Sequence, residues 1–427
     1  MKVAVIGGGS AGFLAAAHLT KKFPQFELFH IYDSRIPIIG VGEGTLPAFR
    51  PWLQELTGLN FKQLVEKCHI TRKFGIHFEN WGKKRQQFMH NFLPVGLDHG
   101  IHFSAPTIVE LLKNYVRGIH LDKRVIALKS DGRSALIEFE DETELEVDFV
   151  FDASGFPKKM DEGYLQVPLI PTNSATIRRG PVSDYQVATR TIARPHGWMF
   201  VIPLTTHTSY GYIYNSSISS QREIEEDFDA FMAAEDITRI KGIEKHLSFP
   251  SFTCVEPFDG VVFKIGNAAG FLEPLEATAL QVLQHQIAVA TSFPLNYLAR
   301  LEQSTNLQQR IKLNQGHIDR VNKHLVKYVL QIALFLSWHY VEGSCFDTEF
   351  WRFAQSNFQE GIENFPQPDM IEHFQKYVMA GSKFLNTLDF PQRVEMRETA
   401  TGGIMPRNFG GYSEESFAEV GTGIGYF

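Results

Sequence analysis

Gly7-Gly8-Gly9-Ser10-Ala11-Gly12 has the residue types and spacing to bind a phosphate-bearing ligand. It follows the β-branched run at residues 3–6 and leads into the alanine-rich, helix-prone residues 13–18. In that strand–turn–helix order, Gly7 permits a tight turn and Gly9 lets the backbone approach a pyrophosphate. Gly12 lets the helix pack on the strand. Ser10 and Ala11 open the helix, whose free N–H groups and positive dipole end favour phosphate. A second apolar run, residues 27–32, ends at Asp33. An acid about twenty residues past the glycines is placed to bind a ribose hydroxyl. It favours an unphosphorylated ribose, hence FAD or NAD over NADP.

Two more strand ends must stand beside this turn. Asp152-Ala153-Ser154-Gly155 follows the apolar residues 149–151. Gly266-Asn267-Ala268-Ala269-Gly270 follows residues 261–265 and precedes a helix. Between the first and second turns, residues 125–128, the turn Asp131-Gly132, and residues 135–139 and 145–147 predict a small β-meander. Three such turns can crowd around one extended cofactor. This order resembles the FAD fold of aromatic hydroxylases, with Asn267 where that fold has Asp, a hydrogen-bonding but uncharged group. No second GxGxxG follows a strand, so no dedicated nicotinamide domain is predicted.

Four further segments narrow the chemistry: Gly40-Val41-Gly42-Glu43-Gly44-Thr45-Leu46-Pro47; Lys73-Phe74-Gly75-Ile76-His77-Phe78-Glu79-Asn80-Trp81; Gly197-Trp198-Met199-Phe200-Val201-Ile202-Pro203; and Phe271-Leu272-Glu273-Pro274-Leu275-Glu276-Ala277-Thr278-Ala279. Together they resemble the flavin-dependent halogenases typified by the tryptophan halogenases, and the resemblance runs from residue 1 to about Phe350-Trp351. It implies an α/β chain with an FAD-binding Rossmann-like core, a β-sheet substrate region and a C-terminal helical subdomain. It implies that Gly40, Val41 and Gly42 form a flavin-side loop. FADH2, O2 and a halide ion would then yield hypohalous acid at a flavin hydroperoxide. Lys73 and Glu276 match the family's catalytic pair. The lysine captures or hydrogen-bonds the oxidant, and the glutamate polarises it or takes the proton lost from an aromatic ring. Thr278 and Ala279 offer N–H groups to halide at a helix start. Trp198 and Phe200, on one side of an alternating strand, form the wall between flavin and substrate. Phe200 replaces a second Trp, and the smaller ring suggests tolerance of bromide and iodide.

On residue type alone, Lys73 reads as a solvated charge and Glu276 as an acid balancing a helix dipole. The flanking segments raise them above that reading. The stretch between Trp81 and His102 is much shorter than in tryptophan halogenases, which opens the lysine end to bulkier aromatics or broad acceptance. His102 and Phe103 remain there as stacking candidates for substrate or as core residues.

Composition bounds the rest. The 427 residues carry a net charge of −7 without long runs of one sign, which argues against nucleic acid as a partner. The three cysteines, Cys68, Cys254 and Cys345, are far apart. This disfavours disulfides and a cysteine zinc site and fits a cytoplasmic setting. His99 with His102, and His317 with His324, lack a supporting carboxylate or cysteine, so no metal is expected. No signal peptide is apparent. The apolar residues 325–341 are too short and too polar for a membrane span and read as a buried helix. Residues 1–300 are expected to interleave the FAD and substrate-sheet regions, and 301–427 to form a mainly helical subdomain. The aromatic, glycine-rich residues 399–427 should pack on the body or on a neighbouring subunit, leaving room for a homo-oligomer. The 36 Phe suggest a tunnel lined by rings that resist halogenation. The reading is an FADH2-dependent halogenase of a small electron-rich aromatic, served by a separate flavin reductase. The alternatives are a flavin monooxygenase or oxidoreductase of the same fold, and a flavoprotein that uses FAD for structure or sensing.

Overall fold

The first apolar run forms the strand Lys2–Ile6, every residue after Lys2 buried. It is the middle of a five-stranded parallel sheet in the order Val262–Lys264, Phe149–Asp152, Lys2–Ile6, Glu27–Tyr32, Ile119–Asp122. Such strands are covered on both faces and read as continuous apolar runs. Helix Ser10–Lys22 covers one face, burying Phe13, Leu14, Ala15, Ala16, Ala17 and Leu19. The meander Val125–Ser130, Ala135–Phe139, Glu144–Val147 covers the other, sharing a core cluster with Ala4, Ile31 and Val150. The computed structural model describes residues 1–38, 42–83, 87–92, 99–184, 187–240, 244–304, 313–375 and 408–426.

A second, seven-stranded sheet runs Lys245–Ser248, Ser174–Gly180, Thr208–Tyr214, Gly197–Pro203, Thr189–Arg194, Gly75–Glu79, Gln87–Asn91. All its pairings are antiparallel except that between Thr189–Arg194 and Gly75–Glu79. A small sheet of Glu43–Gly44, Gly100–Phe103 and Thr71–Lys73 carries Lys73. The sequence anticipates the third glycine turn running into a helix. Instead a 3-10 turn, Gly266–Ala268, a short strand, Gly270–Phe271, and a second 3-10 turn, Leu275–Ala277, precede helix Thr278–Ala290. The small residues after 265 pack on the first helix, where a Cβ at Gly266 would stand 3.0 Å from Ala11 Cβ.

Of residues 325–341, read as a buried apolar helix, 325–338 lie in the 24-residue helix Gln315–Trp338, and the remaining three turn away past its end. Ile318, Val321 and Leu325 join the core under the parallel sheet. Val329 to Trp338 join the core under the second sheet. Residue 300 therefore does not divide two cores: one helix stitches both layers. Helices Glu349–Glu363 and Glu414–Ile424 add Trp351, Phe358, Phe417 and Val420 to the second core. Residues 408–426 thus pack on the body, whereas 399–407 and 427 lie outside the described residues. Among the described residues no helix is long and apolar enough to cross a membrane.

Candidate active site

The glycine turn separates two kinds of glycine. A Cβ at Gly7 would lie 2.3 Å from the Ala153 carbonyl oxygen, and one at Gly12 2.0 Å from that of Gly7. Gly7 therefore serves packing of the first turn on the second, and Gly12 packing of the helix start on the first turn itself. Gly9 has nothing within 4 Å of such a Cβ. It caps helix Ser10–Lys22 without a side-chain hydrogen bond to the first turn. The open backbone and unclaimed helix start are a cradle of the kind a pyrophosphate fills. The turn is held from behind by His30, whose Nε2–H donates to the Gly7 carbonyl at 2.9 Å; burial pushes this imidazole down to about 4.

Asp33 stands just past the end of the second strand, beside a cavity of about 310 Å³ also lined by Ser34, Arg35 and Lys123. Its two oxygens accept from Arg35 Nε at 2.8 Å and Nη2 at 2.9 Å. The Arg35 guanidinium holds the carboxyl below its ordinary range, and a ribose there would share the carboxylate with it. Gly40 and Val41 lie outside the described residues. Gly42 is described, with φ 84°, and packs on Ser209 and Ile202 beside the wall strand. Glu43 escaped the sequence reading. It is bonded to Ser10 at the start of the first helix, and burial pushes its carboxyl up to about 7.

Lys73 is 1% exposed, so the solvated-charge reading fails. Its Nζ lies 5.0 Å from the centre of the Phe92 ring and would touch a Cβ at Gly44 at 3.1 Å. Burial pushes its ammonium down to about 7, with the Glu276 charge opposing. The neighbouring His102 is tied by both edges. Its Nδ1 is 3.0 Å from Thr71 Oγ1, whose proton goes to the Pro203 carbonyl at 2.7 Å. Nδ1 therefore donates, and Nε2 accepts from Thr189 Oγ1 at 2.8 Å. His102 is thus neutral beside Lys73, in line with burial lowering its pKa well below the usual imidazole value. Phe103 stacks on Phe49 at 5.6 Å. His102 and Phe103 are both 0% exposed. Of the two readings, stacking on substrate or the core, the structure places them in the core.

Glu276 sits two residues ahead of helix Thr278–Ala290 and turns inward. His90 Nδ1 lies 2.9 Å from each of its oxygens, and His339 Nε2 is 3.0 Å from Oε1. Despite its burial, these histidines hold the carboxyl well below its ordinary range. Neither histidine was singled out from the sequence, because they lie 186 and 63 residues from Glu276. Thr278 and Ala279 open the helix, and a cavity of about 20 Å³ is lined by both together with Asn267, Gly270 and Phe271. The third turn and the helix start at Thr278 and Ala279 therefore face one space. Lys73, Asn267 and the run holding Glu276, Thr278 and Ala279 come from three segments, and the two cores carry them to one region.

Trp198 and Phe200 belong to one core cluster with Trp81. Trp198 Nε1–H points at Glu273 Oε2, 3.4 Å away. Glu273 also accepts from Thr172 Oγ1 at 2.6 Å and Tyr340 O–H at 2.7 Å. Burial pushes its carboxyl up to about 7. Tyr412 reaches the Glu276 carbonyl with its O–H at 3.4 Å. The surroundings of Glu276 and the wall are thus not restricted to Phe, and the composition argument does not describe them.

Among the remaining histidines, His99 packs against Phe61 and Phe74. His317 packs against Phe293 and Tyr297, and His324 pairs with His285 at 2.9 Å.

A parallel sheet with three glycine-bearing turns at its strand ends, a largely antiparallel second sheet and the buried Lys73 and Glu276 define a flavoprotein-like oxidoreductase fold. The family model described as tryptophan halogenase matches residues 2–105 and 95–388, and the chain belongs to that family. A tryptophan 6-halogenase of Streptomyces toxytricini is 22% identical over 82% of this chain and 80% of its own length. A tryptophan 7-halogenase of Lentzea aerocolonigenes is 22% identical over 82% and 78%. The solved structure of a flavin-dependent halogenase from Xanthomonas campestris aligns with TM-score 0.77 at 20% identity, covering all of this chain and 89% of that one. One from Brevundimonas sp. BAL3 gives 0.69 at 20% identity over 85% and 84%.

Proposed function

We propose that the protein is an FADH2-dependent halogenase of a small electron-rich aromatic, with reduced flavin supplied by a separate reductase. The observation that carries this reading is the burial of Lys73 together with Glu276, which sits two residues ahead of the helix start at Thr278 and Ala279. Bound FADH2, with O2 and a halide, supplies hypohalous acid. Gly7, Gly9, Ser10, Ala11 and Gly12 fit the pyrophosphate, Asp33 a ribose, and Asn267 and the flavin-side loop Gly40, Val41 and Gly42 the ring end. Thr278 and Ala279 donate N–H groups to halide. Lys73, brought near 7 by burial, is largely a neutral amine at slightly alkaline pH. It can then hold the oxidant by hydrogen bonding or as a haloamine. Trp198 and Phe200 keep the arene from the flavin.

The test is an assay with FAD, a flavin reductase, NADH, O2 and a panel of phenols and indoles, run with and without halide. Halogenated arene that requires halide supports the reading. Hydroxylated product without halide dependence would move it to a monooxygenase, and flavin binding without turnover to a sensor. Phe200 in the wall supports a second expectation, that bromide and iodide compete with chloride on at least equal terms. Product ratios from equimolar halides check it, and strong chloride preference would remove it.

A further inference from the structure

Glu276 and Ala277 carry φ 62° and 59°, two consecutive non-glycine residues in the left-handed region. Such backbone is strained and persists only where its surroundings over-determine it. What the strain achieves is direction. It turns the Glu276 carboxylate away from the helix start at Thr278 and onto His90 and His339. His339 is fixed by more than this contact. Its Nδ1 lies 2.9 Å from the Phe335 carbonyl oxygen, and its ring stacks on Phe78 at 5.2 Å, with Phe335 edge-on at 4.9 Å.

The Phe335 carbonyl can only accept, so His339 Nδ1 carries a proton. Its Nε2 faces Glu276 Oε1, and the contact needs one further proton on that axis. The histidines hold Glu276 well below its ordinary range, so the carboxylate takes the accepting side of that contact. Oε1 then accepts from both histidines and Oε2 from His90 alone. Among the described residues Oε2 is the oxygen left with an open lone pair. The other groups around this cluster are Lys73, the Tyr412 hydroxyl and, beyond His90, Glu419.

We infer that His90 and His339 are positioning residues that lock Glu276 as an oriented carboxylate with Oε2 as its working oxygen. Resting on the halogenase reading, this assigns Glu276 the task of holding the hypohalous acid O–H or the Lys73 amine in line, with the histidine pair supplying direction. Loss of one donor frees the carboxylate to rotate, and oxidant then escapes before it meets the arene. No bond changes at either histidine.

The experiment uses the full-length protein with FAD, reductase, halide and the best phenol or indole. It compares His90→Phe and His339→Phe with His90→Asn and His339→Gln, whose amide nitrogens replace the Nδ1 and Nε2 donors. Two rates are read: halogenated arene, and free hypohalous acid trapped by monochlorodimedone. For the Phe variants we expect arene kcat to fall about tenfold or more at unchanged arene KM, with trapped oxidant rising. The amide variants should restore most of the coupling. Unchanged coupling in the Phe variants, or amide variants as uncoupled as the Phe variants, would overturn the inference. If Phe variants misfold, the amide variants alone decide it: coupling near wild type upholds the donor role and uncoupling removes it. A wild-type protein that halogenates neither the arene nor the trap overturns the halogenase reading itself, a distinct result.

Discussion

The ring of Phe200 lies against the backbone of its cross-strand partner Gly211, so closely that a Cβ at Gly211 would stand 2.2 Å from two ring carbons. The wall residue therefore depends on a glycine in the next strand, a pairing in which an aromatic covers the gap that glycine leaves. Gly211→Ala should destabilise the fold by about 1–3 kcal/mol through overpacking. Adding Phe200→Leu should restore part of the loss. Urea unfolding of the single and double variants checks this; equal stabilities would refute the packing.

Gly9 and Gly12 separate binding from folding. Gly9→Ala meets no protein atom, so its thermal unfolding should match wild type while FAD affinity falls about tenfold or more, because the methyl occupies phosphate space. Gly12→Ala collides with the Gly7 carbonyl and should lower stability itself. Flavin fluorescence titration beside calorimetry distinguishes the two.

Lys73 predicts a pH signature. Its folded pKa of about 7 lies below the ordinary lysine value of 10.5, so between these values the unfolded chain binds the extra proton. Stability then rises with pH across that window. Lys73→Met removes the burden. It should be more stable than wild type by at least about 1 kcal/mol at pH 7 and below, with the gap closing toward pH 10.5. Urea midpoints across pH measure this, and a gap independent of pH would contradict the buried amine.

Glu273 predicts the opposite slope. Its folded pKa of about 7 exceeds the ordinary glutamate value of 4.5, so the folded state binds the extra proton between them and stability falls as pH rises through that window. Glu273→Gln should equal wild type near pH 4.5 and exceed it at pH 8. The same series of midpoints decides it; a Gln variant weaker than wild type at pH 8 would show that the anion is needed.

The sequence was legible where local chemistry sets the structure. The strand Glu27–Tyr32, the meander with its Asp131-Gly132 turn and the glycine turn all follow from runs and turn residues that act over a few positions. It was illegible where partners meet only in the fold. His90 and His339 reach Glu276 from another sheet and another helix. Glu276 and Ala277 occupy left-handed backbone without the Gly or Asn that would announce it. Glu273 carries no local signal in the sequence, yet it is fully buried and bonded to Trp198 and Tyr340, which lie far from it in the chain. His102 and Phe103 looked free for substrate because their partners Thr71, Thr189 and Phe49 are distant in the chain.

The central claim is that Lys73 carries the oxidant from the flavin side to the arene. The direct measurement is product mass spectrometry of wild type and Lys73→Ala under reductase, NADH, FAD and bromide, with oxygen consumption followed in parallel. The account predicts that both consume oxygen, while brominated arene falls in Lys73→Ala by at least about a hundredfold, a barrier increase of about 2.7 kcal/mol. Brominated arene formed by Lys73→Ala at the wild-type rate would contradict it.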